Sequence, residues 1–182
     1  MELNTSKETI TNKSAIKIKK RDGRLEDLDI DKIHFVVEEA CEGLAGVSSS
    51  QIEINANIQF YDGMTTKEVQ QILVRSANDL ISLEAPNYQY AAARLLSYDV
   101  RKEAHGQYEY MPLLKLIVRN IKAGVYDRGI VEQYNKVEIK KMNTWIKRER
   151  DLDFTYAGLR QVVDKYLVQD RSSGDLFETP QD

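Results

Sequence analysis

The sequence is poor in the residues that most often hold metals. It contains one cysteine, Cys41, and two histidines, His34 and His105, among 182 residues. A disulfide framework or a multi-thiolate zinc site needs several thiols at defined spacing, so both are excluded. The two histidines are far apart, and Cys41 falls on the core face of a predicted helix. We therefore expect no metal site and no catalytic residue in this chain.

Long apolar runs and the glycine-rich phosphate motifs are also missing. No run approaches the length of a membrane span, and the polar start MELNTSKETITNKS lacks the apolar core of a secretory signal. We therefore expect a cytoplasmic protein without a membrane partner. Neither a Gly-Lys-Ser/Thr loop nor a Gly-x-Gly-x-x-Gly turn after a strand is present. The net charge of -3 argues against a nucleic-acid partner, which needs a broad positive field.

Positive charge is nevertheless concentrated near the beginning of the chain. Up to Arg24 there are seven lysines and arginines against three acids. The segment IKIKKRDGRLEDL alternates like a strand on both sides of Asp22-Gly23, which predicts a basic β-hairpin. Two interpretations stay open: an anion site centred on Lys20, Arg21 and Lys32, or a solvated edge strand protected by lysines.

Helical periodicity follows the hairpin. It predicts four helices, which begin near Ile30, Ser48, Thr65 and Tyr88, and the second is expected to end near 61–63. Ser48 with Gln51, and Thr65 with Glu68, have the spacing of a capping box. A hairpin with four helices can close a core with the hairpin as a lid. We expect a mainly α fold, with a polar tail at 1–15 and a first unit at 16–106. A second unit at 107–182 is expected to have helices near 112–124, 136–150 and 155–165 and to end in a β-hairpin at 166–179.

Acidic and polar residues beside the basic turn have two interpretations each. Glu26 and Asp29 are able to accept hydrogen bonds from an adenine amino group or a ribose hydroxyl. Alternatively, Asp29 caps the first helix and Glu26 is a solvated surface residue. Thr66 either contacts a base or caps the third helix, and capping is favoured.

Several motifs together resemble a known family. Seven motifs occur in this order along the chain: KRDG, LDIDKIH, IQFYDGMTT, APNYQYAAARLL, RKEAHGQYE, RDLDFTYAGLRQ and KYLVQDRSSGDLFETPQ. They resemble the amino-terminal part of the large (alpha) subunit of class I ribonucleotide reductase, over nearly everything after the polar tail, and the DGMTT and ETPQ wording resembles phage members. The resemblance implies that 16–106 is an ATP-cone, an allosteric module that binds ATP or dATP, with Mg²⁺. It also implies that 107–182 is the first helical part of the catalytic lobe, truncated before the barrel.

The resemblance also implies the residues of the effector site. Gln70 stands where cellular members commonly have His, so nucleotide binding is expected to survive better than discrimination between ATP and dATP. Triphosphate contacts fall on Lys20, Arg21, Lys32 and Lys102. Base and sugar contacts fall on Thr66 and on the segment Glu26, Asp27, Leu28, Asp29, Ile30, Asp31 and Lys32, while Ile18, Ile33 and Tyr98 line the pocket.

The same resemblance predicts the role of the chain. Catalysis in the family uses a thiyl radical and redox-active cysteines, which lie beyond the part matched here, so this chain alone is expected to be inactive. We expect a regulatory and structural piece of ribonucleoside-diphosphate reductase, either a fragment or one part of a split subunit. It would contribute to reduction of NDPs to dNDPs for DNA synthesis, in an oligomeric assembly with the remainder of the large subunit and the metal-containing beta subunit. The alternatives are an ATP-cone transcriptional regulator, which would carry paired Cys-x-x-Cys motifs before the cone, and a nucleotide-free helical scaffold.

Overall fold

The computed structural model describes residues 16–182, so the tail expected at 1–15 lies outside the described residues. A β-hairpin precedes the first helix. Strands β1 (Lys17–Lys19) and β2 (Leu25–Asp27) pair antiparallel around the turn, where Gly23 has φ 85°. This confirms the predicted hairpin. A third strand, β3 (Met64–Thr65), pairs parallel with β1 and was not predicted, because two residues are too few to show a period.

Four helices follow and form the first unit with the sheet. They are α1 (Ile30–Cys41), α2 (Ser49–Asn57), α3 (Thr66–Asn78) and α4 (Tyr88–His105). Asp29 and Ser48 cap α1 and α2 by accepting from the N–H groups of Lys32 and Gln51. The helix start signals in the sequence are thus confirmed, although α2 ends a few residues earlier than expected.

The remaining helices depart further from the sequence prediction. They are α5 (Leu113–Lys122), α6 (Gly129–Gln133), α7 (Lys136–Asn143), a 3₁₀ helix (Arg148–Asp153) and α8 (Tyr156–Lys165). Helix was expected around 136–150, and α7 begins there as expected but ends at Asn143, before the 3₁₀ helix. Helix α6 was not predicted. A bridge between Gln169 and Leu176, with Gly174 at φ 80°, forms the terminal hairpin.

Helix α4 is at the centre of the packing. It contacts α1, α3 and α8, and Ala91, Ala92 and Ala93 are completely buried, which allows close approach of the neighbouring helices. Leu95 of α4 and Leu159 of α8 belong to one buried cluster. Because α8 completes the same core as α1 to α4, the division of the chain at 106 stays a prediction.

A second, smaller cluster lies between α5 and α7, where Leu113, Ile117 and Ile139 are buried. Among residues 16–182, no helix is both long and apolar enough to cross a membrane.

Candidate functional site

Three cationic residues from distant parts of the chain meet between the hairpin turn and the last turn of α4. Lys20 and Arg21 follow β1, and Lys102 lies near the end of α4. The guanidinium Nη1 of Arg21 donates to the backbone oxygen of Lys102 at 3.0 Å. The fold therefore concentrates positive charge at one point of a chain whose net charge is negative.

These cations border a cavity of about 340 Å³, which we call the polar cavity. Five of its lining residues are basic and three are acidic, so the cavity favours an anionic group. Its lining residues are Lys20, Arg21, Asp22, Arg24, Glu26, Thr66, Lys67, Gln70, Asp99, Lys102, Gly106 and Gln107.

A narrower space of about 110 Å³, the apolar cleft, adjoins the polar cavity. Lys20, Thr66, Gln70 and Lys102 line both spaces. The cleft is also lined by Ile18, Leu28, Asp29, Lys32, Ile33, Val36, Val69 and Leu73. A ligand with a flat apolar part and an anionic part fits this combination, since each part finds a matching wall.

The charged groups of the site influence one another. Partial burial, followed by the nearby charges of Arg21 and Lys20, holds the pKa of Lys102 below its ordinary value. Burial, together with Glu103, raises the pKa of Asp99 above its ordinary value. A polyanion placed here would favour the protonated form of Lys102, because it offsets the repulsion between the cations.

Two carboxylates pair with lysines at the rim. Lys20 Nζ lies 3.2 Å from a carboxylate oxygen of Glu26, and Lys32 Nζ lies 2.8 Å from one of Asp29. The hydrogen bonds from the side chain and backbone N–H of Lys32 lower the pKa of Asp29. Asp29 thus both caps α1 and orients Lys32 at the edge of the cleft.

The structure brings most of the expected site residues together. The apolar cleft or the polar cavity is lined by Ile18, Lys20, Arg21, Glu26, Leu28, Asp29, Lys32, Ile33, Thr66, Gln70 and Lys102. Asp27, Ile30 and Asp31 line neither space. Asp27 pairs with Lys17 instead, and Ile30 and Asp31 are exposed.

Tyr98, which was expected to line the pocket, lines neither the apolar cleft nor the polar cavity. Its ring stacks on Tyr108 with centroids 5.5 Å apart, and the guanidinium of Arg101 lies 4.7 Å from the Tyr98 ring. It lines a separate cavity with Arg101 and Asp151. The aromatic and cation–π partners hold the ring there.

Thr66 does not cap α3, although capping was the favoured interpretation of its position. Thr65 is the N-cap of α3: its hydroxyl accepts from the N–H of Glu68, whose carboxylate accepts from the N–H of Thr65. Thr66 is the first helical residue and lines both the cleft and the polar cavity. The preference for capping by Thr66 was therefore wrong.

Gln70 lies one turn further along α3. Its amide Nε2 donates to the backbone oxygen of Leu95 in α4 at 2.9 Å. This contact fixes the side chain between α3 and α4 and leaves the carbonyl oxygen of the amide as an acceptor.

Several residues that line the site were not predicted from the sequence. Val69 and Leu73 lie at helical spacing from Thr66 and Gln70, so the four residues share one face of α3. That period was visible in the sequence. Asp99 and Lys67 were missed because only the packing of α4 on α3 brings them to the polar cavity.

Comparison with known proteins agrees with this geometry. Residues 16–103 match the family model for the ATP cone domain, which contains the hairpin, α1 to α3 and most of α4. The chain is 44% identical over 164 residues, 90% of its length, to ribonucleoside-diphosphate reductase 1 subunit alpha of Escherichia coli (strain K12). It is 39% identical over 170 residues to subunit alpha of Haemophilus influenzae, and 40% identical over 168 residues to that of Enterobacteria phage T4.

These matches show what the chain is similar to. Residues 16–103 match the ATP cone domain, and the chain is similar to the N-terminal region of ribonucleoside-diphosphate reductase alpha subunits. The matches cover 93% of the chain for the Haemophilus protein and 91% for the phage protein, but only 22% of each relative. The chain thus spans about a fifth of the length of these relatives.

Proposed function

We propose that this chain binds ATP or dATP, with Mg²⁺, as the effector-sensing part of a ribonucleoside-diphosphate reductase alpha subunit. The observation that carries the proposal is the meeting of Lys20, Arg21 and Lys102 at the open side of the apolar cleft. The match to the ATP cone domain supports a nucleotide as the ligand.

The two adjoining spaces suggest how the nucleotide lies. The adenine fits the apolar cleft between Ile18, Ile33 and Val69, and the phosphates lie over the cations of the polar cavity. Lys20 exchanges its partner Glu26 for a phosphate at small cost, because exposed ion pairs contribute little. The released carboxylate of Glu26 is then able to accept from the sugar or the base.

Mg²⁺ accompanies the triphosphate and prefers oxygen ligands. Asp22, Glu26 and Asp99 are the carboxylates of the polar cavity. They are the groups of this chain that would coordinate the cation directly or through water.

Gln70 is the candidate contact to the ribose. Because its Nε2 donates to Leu95, the amide oxygen remains to accept from a ribose hydroxyl. ATP offers a 2′-hydroxyl and dATP does not, so we expect both to bind and ATP to gain one additional hydrogen bond.

The reaction itself belongs to an assembly in this proposal. Reduction of NDPs to dNDPs needs redox-active thiols, and the chain has Cys41 alone. Burial raises the pKa of the Cys41 thiol to about 11, which disfavours the reactive thiolate. The proposed partners are therefore the remainder of the alpha subunit and the beta subunit in the cytoplasm, and this chain contributes the regulation.

Calorimetry with the full chain tests the effector site. We expect saturable heat with MgATP and Mg-dATP, strong loss of affinity in Lys20→Met, and no loss in Lys165→Met, which removes the same charge from an exposed position on α8. Absence of saturable heat with both nucleotides would instead support the nucleotide-free scaffold.

A second experiment tests the assembly. Tagged purification from the native host, followed by mass spectrometry, should recover a cysteine-containing reductase polypeptide, and activity should require that partner and the beta subunit. Recovery of a solitary folded chain would contradict this part of the proposal.

A further inference from the structure

The phosphate-binding cations also face the part of the chain that follows the ATP cone. A chamber of about 690 Å³ shares Lys20, Arg21, Thr66 and Lys67 with the polar cavity. Its opposite wall is formed by Arg119, Ala123, Asp175, Leu176 and Phe177. The effector site and the terminal hairpin are therefore two sides of one chamber.

The last turn of α4 connects these two sides. Carbonyl groups at the end of a helix lack partners within the helix, and cations there interact favourably with the helix dipole. The backbone oxygen of Lys102 accepts from the N–H of the C-cap Gly106 and also from Arg21, and that of Ala104 accepts from Arg119 Nη1 at 2.6 Å. Two guanidinium groups thus cap the same helix end, one from the effector site and one from α5.

Arg119 continues the connection to the terminal hairpin. Its Nη2 donates to the backbone oxygen of Phe177 at 3.0 Å and to Asn120 Oδ1 at 2.8 Å. Asn120 is completely buried, and its amide donates to the same Phe177 oxygen at 2.9 Å. Arg119 therefore connects the α4 end to the backbone of Phe177 through hydrogen bonds at both ends of its guanidinium.

We propose that Arg119 is a positioning residue that transmits effector binding to the terminal hairpin. This inference rests on the proposed nucleotide site. A bound phosphate group attracts Arg21, whose guanidinium contacts the same end of α4 as Arg119. Nucleotide binding therefore changes the strength of the hydrogen bonds from Arg119 to the backbone oxygens of Ala104 and Phe177. Arg119 itself lines neither the apolar cleft nor the polar cavity.

Amide hydrogen exchange of the full chain tests the proposal. The N–H of Phe177 donates to the Val168 oxygen at 3.0 Å, and its exchange reports local opening of the hairpin. With saturating MgATP we expect exchange in the wild type to slow by about fivefold or more. In Arg119→Gln the slowing should be lost although calorimetry still shows nucleotide binding.

Controls separate this inference from the proposed function. Arg128→Gln makes the same change at the exposed position that precedes α6 and should keep the full response. If circular dichroism shows that Arg119→Gln is unfolded, Arg119→Lys replaces it, with a reduced response expected. Binding of MgATP without slower exchange at Phe177, or a full response in the folded Arg119 variant, would overturn the inference alone. No binding at all would overturn the proposed function and the inference with it.

Discussion

Substitution of Lys102 by methionine separates nucleotide affinity from stability. The side chain is partly exposed, and Arg21 and Lys20 repel its charge, so the charged form contributes no stabilisation of its own to the fold. A bound triphosphate would be its main favourable partner. Methionine keeps the length and the apolar stem and removes only the ammonium group.

The magnitude follows from the interaction that is lost. A hydrogen bond to a charged group contributes about 1.5–3 kcal/mol, which corresponds to roughly 10- to 150-fold in affinity. The free energy of unfolding should change by less than about 0.5 kcal/mol, as for ordinary surface substitutions, and the relieved repulsion favours an increase.

Calorimetry with MgATP and thermal unfolding together measure both quantities, with Lys165→Met as the control for charge. The pKa of Lys102 is lowered in the folded protein, so the unfolded chain retains the proton to higher pH. Stability therefore rises as the pH increases from that lowered pKa towards the ordinary value of 10.5, and Lys102→Met should remove this rise. Affinity within twofold of the wild type would refute the placement of the phosphates.

Four other substitutions test the capping of α3, the core and the buried ion pair. Thr65→Ala should lower the free energy of unfolding by about 1 kcal/mol without changing MgATP affinity. Thr66→Ala should lower MgATP affinity and leave the free energy of unfolding unchanged. Equal effects of the two substitutions on stability would contradict the assignment of the cap. Leu159→Ala should cost about 2–5 kcal/mol and lower a single thermal transition, whereas a separate transition of the ATP cone at its original temperature would contradict the shared core. Asp182→Asn should cost about 3 kcal/mol at pH 7 in urea unfolding. Burial raises the pKa of Asp182, but its hydrogen bonds, including one from His105 Nε2, outweigh burial and lower the pKa overall. Its stabilisation is therefore present above about pH 4 and is lost as the pH falls further, so the two proteins should converge in acid and a constant difference down to pH 2 would contradict this.

The elements that the sequence predicted well are those with local signals. The Asp22-Gly23 turn, the cap at Ser48 and the capping box of Thr65 each involve residues at most three positions apart. Such signals act before tertiary contacts form, so they can be read without knowledge of the packing.

The elements that were missed depend on contacts between distant residues. Strand β3 exists only because Met64 and Thr65 lie beside β1. Helix α7 ends at Asn143, whose side-chain oxygen accepts from the backbone N–H of Leu113 at the start of α5. Neither contact has a signature in its own segment.

The candidate site shows the same limit. Lys20 and Arg21 were visible as a cluster, whereas Lys102 entered only through the family resemblance, since a lysine near the end of a helix is ordinary. The stacking of Tyr98 on Tyr108 was not foreseen, because Tyr108 lies after the end of α4 and its position depends on the fold of that segment. Side-chain direction at such positions is set by tertiary partners.

The acids around the proposed site are part of its electrostatics. Five adjacent cations repel one another, and Asp22, Glu26 and Asp99 offset part of that repulsion. An anionic ligand must therefore compete with these carboxylates for the cations. A monophosphate carries little more negative charge than the Glu26 carboxylate that already pairs with Lys20. A triphosphate contacts several cations at once. The proposed preference for triphosphates thus follows from the balance between the cations and the carboxylates, and the cations alone would not produce it.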